Sequence, residues 1–212
     1  MINKSLFINL LLRLIMIRPS FVESTLFRKI MMIFPRFLSG RIDFDAVINK
    51  EENYERAFKN ALKKYQELNQ NNTYRILDLA AGTGVFSIIL AKNFNQAEVL
   101  AVDLAEEMLV KAEEKASLKS LNNLKTKIND VYNLDFEDSS FDLITVSNAP
   151  FSFTEVKRVL KENAYFIISI SHGGEFLESK KEKLFQKFKK VGFKLEAVAA
   201  EKDNGVYLIL KN

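Results

Sequence analysis

From about residue 74 to the C-terminus, apolar runs of strand length alternate with longer segments of helical period, and this alternation restricts the fold more than any other feature of the chain. Strands joined through helices run parallel, because a parallel return needs a crossover that a tight turn cannot supply. The strand segments are YRILDLA (74–80), AEVLAVDL (97–104), LKTKIND (124–130), FDLITVSN (141–148) and AYFIISIS (164–171). Helices are expected over 84–94, 105–118 and 153–161, with a further charged helix over 175–192. The last two strands, KLEAVAAEK and VYLILKN, are separated only by the DNG turn at 203–205, which is hairpin spacing. The spacing therefore predicts an α/β fold: a doubly wound, mostly parallel sheet of about seven strands that closes on a C-terminal antiparallel hairpin, preceded by N-terminal helices.

Upstream of the sheet, EENYERAFKNALKKYQEL (51–68) sets Tyr54, Phe58, Leu62 and Tyr65 at helical spacing, the pattern of a helix lying on the sheet. The polar NQNNT links it to the first strand. Three parts follow: a basic and apolar segment at 1–41, a helix and linker at 42–73, and the α/β domain at 74–212.

The first strand ends in RILDLAAGTG (75–84), an apolar run that stops on Asp78 and turns through small residues into a helix. Such a turn brings backbone N–H groups and a helix N-terminus close to a ligand, and Gly82 and Gly84 have no side chain to block the approach. About twenty residues on, VLAVDL ends at Asp103, where a carboxylate at a strand tip accepts hydrogen bonds from ribose hydroxyls. The pair implies a nucleoside-containing cofactor at the carboxyl edge of the sheet. On these residues alone its identity stays open. Gly82-x-Gly84-x-x-Ser87 is close to the dinucleotide fingerprint, but Ser87 stands where Gly or Ala is needed for close helix packing.

Taken together, these motifs resemble the class I S-adenosylmethionine-dependent methyltransferases, especially the small-molecule group that includes quinone- and lipid-methylating enzymes. The resemblance runs from about Tyr74 to the C-terminus and implies a Rossmann-like domain. LDLAAGTGVFSIILAK is similar to the family's first motif, D-x-G-x-G-T-G, with Ala80 replacing the first glycine at what the sequence suggests is the least exposed turn position. AVDLAEEMLVKAEEK is similar to the second motif, INDVYNLDFEDSSFDLITVSNA to the third strand's end and the entry to the fourth, and RVLKENAYFIIS and VGFKLEAVAAEKDNGVYLILK to the closing elements. The resemblance implies S-adenosylmethionine as cofactor. Asp78, Ala80, Gly82, Thr83 and Gly84 would surround its methionine portion; Asp103 would hold the ribose; Leu104, Met108, Asp130 and Val131 would lie at the adenine; and Ser147 is a further cofactor-binding candidate.

Acceptor-side residues are fewer. His172, in SISHGGE just past the fifth strand, is the candidate base, and Asn148 and Tyr132 are candidates for orienting the acceptor. NAPF (148–151) is also similar to the N-P-P-Y or N-P-P-F tetrad that grips planar nitrogens, with Ala149 in place of proline.

The absence of cysteine among 212 residues excludes disulfides, zinc-thiolate sites and thiol nucleophiles, and makes a cytoplasmic address the default. A single histidine excludes histidine-rich metal sites, and no metal is expected. The net charge of +4 is uneven: residues 1–41 carry +6, leaving about −2 on the rest, which argues against a nucleic-acid groove across the main domain. SLFINLLLRLIMIRPS is short for a bilayer span, which needs roughly 20 residues, and contains Arg13. It also fits a cleaved signal poorly. Two readings remain for 1–41: a lid over the cofactor cleft that walls the acceptor pocket, or a peripheral contact with the inner membrane face through anionic lipids. The functions that stay open are methyl transfer to a small hydrophobic, lipid- or quinone-like acceptor, a cofactor-binding but inactive surface or scaffold protein, and an NAD-dependent oxidoreductase.

Overall fold

The computed structural model describes residues 54–171, 182, 185–186, 188–200 and 205–212. The segment 1–41, His172 and the DN of the closing turn lie outside the described residues.

Seven strands form one sheet: β1 (Arg75–Leu79), β2 (Glu98–Asp103), β3 (Leu124–Ile128), β4 (Phe141–Ser147), β5 (Leu160–Ile170), β6 (Lys194–Ala200) and β7 (Val206–Lys211). Their order across the sheet is β3-β2-β1-β4-β5-β7-β6. Strands β1 to β5 pair parallel, and β7 runs antiparallel to both β5 and β6. The expected parallel start and antiparallel close are therefore both present. Because the order reverses between β1 and β4, a crevice opens at the carboxyl ends of these two strands, the usual ligand position in such sheets.

Four helices are fully bounded: α1 (Arg56–Leu68), α2 (Val85–Asn93), α3 (Glu106–Leu118) and α4 (Phe153–Val159). Residues 182, 185–186 and 188–190 are helical as well. Strand alternation feeds two apolar layers. Ile76, Leu143, Tyr165, Ile167 and Ile209 face one side with Phe58, Leu62 and Tyr65 of α1 and Leu90 of α2. Leu77, Ile144, Phe166, Ile168 and Leu208 face the other with Val156 of α4 and Phe188. A sheet covered on both faces explains why its strands read as near-continuous apolar runs.

Two boundaries differ from expectation. The helix predicted over 153–161 ends at Val159, and β5 begins at Leu160 rather than at 164. Leu160 pairs with Phe141 across a bulge, and Asn163 takes a left-handed φ of 60°. The Asn212 side chain donates to Leu160 O and Lys161 O, while its backbone pairs with Asn163 and Ala164. With their carbonyls satisfied from the C-terminus, these residues extend as strand. Likewise β3 stops at Ile128, because Asp130 leaves the ladder and forms a bridge with Asn133.

Asp142, the acid of the SFDL sequence, has a staple role. Its Oδ2 accepts the N–H groups of Tyr74 (3.0 Å) and Arg75 (2.9 Å), and Lys161 Nζ reaches its Oδ1 at 2.7 Å. It thus ties the amino ends of β1, β4 and β5 together, and these bonds outweigh its partial burial to hold the carboxyl below its ordinary range.

Candidate active site

Strand β1 stops because Ala80 adopts φ 51°, a left-handed conformation that an alanine side chain disfavours by about 1–2 kcal/mol. Gly82 (φ 54°) and Gly84 (φ 77°) follow in the same region. The two glycines meet different surroundings. A Cβ on Gly84 would stand 2.6 Å from the Cβ of Ala112 on α3, so this glycine permits helix packing. Among the described residues, a Cβ on Gly82 would meet nothing within 4 Å, so this position faces open space there. Ala80 is not the least exposed position of the turn, as the sequence suggested: it is half-buried, whereas Thr83 and Gly84 are buried. Lys115, in the last turn of α3, donates to Thr83 O at 2.9 Å and ties the turn to that helix from the far side.

The tip of β2 braces the turn directly. Asp103 Oδ2 accepts the N–H of Gly82 at 2.8 Å and Oδ1 accepts that of Ala105 at 2.9 Å. With three backbone N–H donors on a carboxylate that offers about four acceptor sites, capacity remains for a further donor. Burial raises the Asp103 carboxyl above its ordinary range, opposed by the N–H donors of Ala105, Gly82 and Leu104. The acid that the spacing pairs with the glycine turn is therefore bonded to it.

Beneath the turn lies an arrangement that sequence reasoning missed. Asp78 is 1% exposed; Ser87 Oγ of α2 donates to its Oδ2 at 2.5 Å and Thr145 Oγ1 of β4 to its Oδ1 at 2.8 Å. Burial pushes this carboxyl up to about 6, with the two hydroxyls opposing the shift. Ser87, which weakens the dinucleotide fingerprint, here holds Asp78 across from Thr145. The available signal was polarity out of place: a serine within VFSIILA and a threonine within DLITV each interrupt a buried apolar run, and buried hydroxyls need partners.

The remaining sequence-predicted residues fall at the same edge. Leu104 is half-buried, and Met108 is buried on α3. Val131 is buried against Leu79, Val102 and Leu134, while Asp130 accepts the N–H of Tyr132 at 2.9 Å. Asn129, immediately before it, holds a buried amide nitrogen with no hydrogen-bond partner among the described residues, while its Oδ1 accepts the N–H of Asp135 at 3.3 Å. Ser147 is buried and shares a 2.6 Å hydrogen bond with Ser169.

Asn148, at the end of β4, adopts φ 54°. Its Oδ1 accepts the N–H of Ser171 (2.8 Å), and its Nδ2 donates to Ser171 Oγ (2.9 Å) and to the Tyr54 hydroxyl (3.1 Å). Both ends of the amide bond the protein, so the group is a tether between strand tips. Phe151 is buried and packs edge-on to Phe153 and Phe166, which makes it core rather than the outward aromatic of a nitrogen-gripping tetrad. A separate cavity of about 500 Å³, lined among others by Arg75, Phe136, Ser140 and Arg158, lies at the amino ends of β1 and β4, the opposite edge from the glycine turn.

Comparison with known proteins follows the same lines. The family described as "Methyltransferase domain" matches residues 70–209. A demethylmenaquinone methyltransferase of Staphylococcus aureus is 34% identical, over 55% of this chain and 59% of that protein. The chain thus spans well under two thirds of the length of the curated relatives it matches. A crystal structure titled a SAM-dependent methyltransferase from Aquifex aeolicus superposes with a TM-score of 0.62 at 19% identity, covering 81% of this chain and 99% of that one. An S-adenosylmethionine-dependent methyltransferase from Mesorhizobium loti gives 0.55 at 16% identity, with 71% and 96% covered. These two likenesses show the shared fold. The family match over residues 70–209 sets the nicotinamide alternative aside, and with it the chain belongs to the class I S-adenosylmethionine-dependent methyltransferases.

Proposed function

We propose that this protein transfers a methyl group from S-adenosylmethionine to a small hydrophobic acceptor of the quinone class. One observation carries the cofactor half. Gly82 holds its N–H on Asp103 while leaving open space where any side chain would stand, so backbone and carboxylate converge beside an unfilled cradle. The orphaned Asn129 amide beside Asp130 adds an unused buried donor at the same edge. These residues fit the family's cofactor. Asp103 would hold the ribose, Leu104, Met108, Asp130 and Val131 would face the adenine, and the 80–84 turn with Ser147 would face the methionine portion. Asp78 acts from below, through Ser87 and Thr145, by fixing the turn between β1, α2 and β4.

S-adenosylmethionine supplies a methyl group on a sulfonium already activated for displacement. The chain's own contribution is to orient donor and acceptor in line and to exclude water, which supplies much of the acceleration in such reactions. Where the acceptor atom carries a proton, a base is required, and His172, next in sequence to Ser171, is the candidate.

The acceptor class rests on the S. aureus relative, named for a demethylated quinone, and on the apolar and basic composition of residues 1–41. Seven Lys/Arg against one acidic residue among large apolar side chains suits a surface of anionic lipid, where a hydrophobic acceptor resides.

The test incubates purified protein with methyl-labelled S-adenosylmethionine and reduced demethylmenaquinone in phosphatidylglycerol vesicles. Label in the organic phase is the expected result. Failure to bind S-adenosylhomocysteine with the fold retained overturns the cofactor assignment. Binding without transfer to this or any lipid-extract acceptor favours the inactive scaffold.

A further inference from the structure

The strand tips beyond the glycine turn carry a second cluster, outside the residues assigned to the cofactor above. Tyr54 stands two residues before α1, and three contacts fix it. Its ring stacks on Phe86 of α2 with centroids 5.5 Å apart. Its hydroxyl accepts from Asn148 Nδ2 at the end of β4, and its carbonyl accepts from Ser171 Oγ, past the end of β5, at 2.9 Å. Asn148 is itself locked by two bonds to Ser171. One aromatic residue is thus pinned, by its ring to the helix that follows the glycine turn, by its hydroxyl to the tip of β4 and by its backbone carbonyl to Ser171 past the end of β5.

We infer that Tyr54 walls the acceptor side of the seam and determines acceptor specificity, with Asn148 and Ser171 as positioning residues that hold its ring in place. The inference rests on the quinone-methyltransferase reading above. Three features support it. The chain runs from β4 directly into Ser152 and α4, so it has no long loop there to wall an acceptor. Asn148 keeps a left-handed backbone conformation, which costs on the order of 1 kcal/mol and persists where the surroundings over-determine it. Tyr54 is half-buried, so an aromatic residue of the kind that packs against a planar quinone-type ring stands partly exposed at these strand tips.

The experiment measures two affinities in each of four proteins: wild type, Tyr54→Ala, Tyr54→Phe and Asn148→Ala. S-adenosylhomocysteine binding is followed by calorimetry, and menadione binding to the S-adenosylhomocysteine-loaded protein by quenching of tyrosine fluorescence. Thermal melts confirm folding, and Tyr54→Phe keeps the ring if Tyr54→Ala melts early. The expected pattern is at least a tenfold loss of menadione affinity in Tyr54→Ala, a smaller loss in Asn148→Ala and Tyr54→Phe, and S-adenosylhomocysteine affinity within threefold of wild type throughout. Unchanged menadione affinity in Tyr54→Ala overturns the inference while leaving the quinone reading intact. Parallel loss of both ligands overturns it by assigning Tyr54 to the cofactor side. A wild type that binds S-adenosylhomocysteine but no menadione overturns the quinone reading and this inference together.

Discussion

Replacing Gly84 by alanine should damage the fold, whereas the same change at Gly82 should damage ligand binding. At Gly84 two costs add. A left-handed φ of 77° disfavours any Cβ by about 1–2 kcal/mol. The new methyl would also stand 2.6 Å from Ala112 Cβ and 3.1 Å from its Cα, and forcing such contacts into a packed interface costs roughly 1–3 kcal/mol. The expected total is about 2–5 kcal/mol, a large part of the stability of an ordinary domain. Gly82→Ala carries only the φ cost, because nothing lies within 4 Å of its Cβ, but the methyl then occupies the cradle. Urea unfolding at constant m-value reads the stability, and calorimetry with S-adenosylhomocysteine reads the binding. A double-mutant cycle isolates the steric part. In an Ala112→Gly background the Cβ–Cβ clash is gone while the 3.1 Å approach to the Cα stays, so Gly84→Ala should cost less there than in the wild type, by up to about 1–3 kcal/mol. Equal cost in both backgrounds would refute the packing argument. Wild-type affinity in Gly82→Ala would refute the placement of the ligand at this turn.

Three further outcomes follow from the structure. The native Asp78 carboxyl sits at about 6, above its ordinary 3.8, so between these values the native state binds a proton more tightly than the unfolded chain and stability falls as pH rises. Two pKa units correspond to about 3 kcal/mol, so the unfolding free energy of wild type minus that of Asp78→Asn should drop by roughly that amount from pH 4 to pH 7; a flat difference sinks the assignment. Arg158 donates to the carbonyls of Leu134 and Phe136, both at 2.7 Å, and to Glu155 and Asp138. Arg158→Lys cannot reproduce that fork and should cost about 2–3 kcal/mol in urea unfolding, with the 130–138 segment losing hydrogen-exchange protection first. Ala80→Gly removes left-handed strain but adds unfolded-chain entropy, so the melting temperature should hold or rise slightly; a clear fall would contradict the strain at this position.

The element order was legible because apolar period and length are local properties of the chain, and a sheet buried on both faces writes itself as long apolar runs. The pairing of Asp103 with the glycine turn was legible as a spacing but not as a bond. Gly82 and Asp103 are 21 residues apart, and their contact exists only because β2 lies beside β1. The strand order that puts β4 on the other side of β1 is not a local property at all. For that reason Thr145, 67 residues from Asp78, could not be matched to it from the sequence. The helix boundary at Val159 failed similarly: what turns Leu160 and Lys161 into strand is the side chain of Asn212, some fifty residues away.

Gly82 and Gly84 show where motif reading stops and geometry begins. The two residues occupy the same motif and share the same sign of φ, yet one permits a helix to approach and the other borders open space among the described residues. A motif records that a side chain is excluded but not what excludes it. The same holds for Asn148 and Tyr54. In sequence, the first is a polar residue at a strand end and the second is one aromatic of a helical stripe. In the fold, Asn148 uses its whole amide to hold a ring that no helical spacing could have placed across the strand tips. The residues proposed for the cofactor lie on contiguous turns at strand ends and so survive as readable motifs. The residues proposed for the acceptor side, Tyr54, Asn148 and Ser171, lie up to 117 residues apart, and their cluster is legible only once the sheet has brought them together.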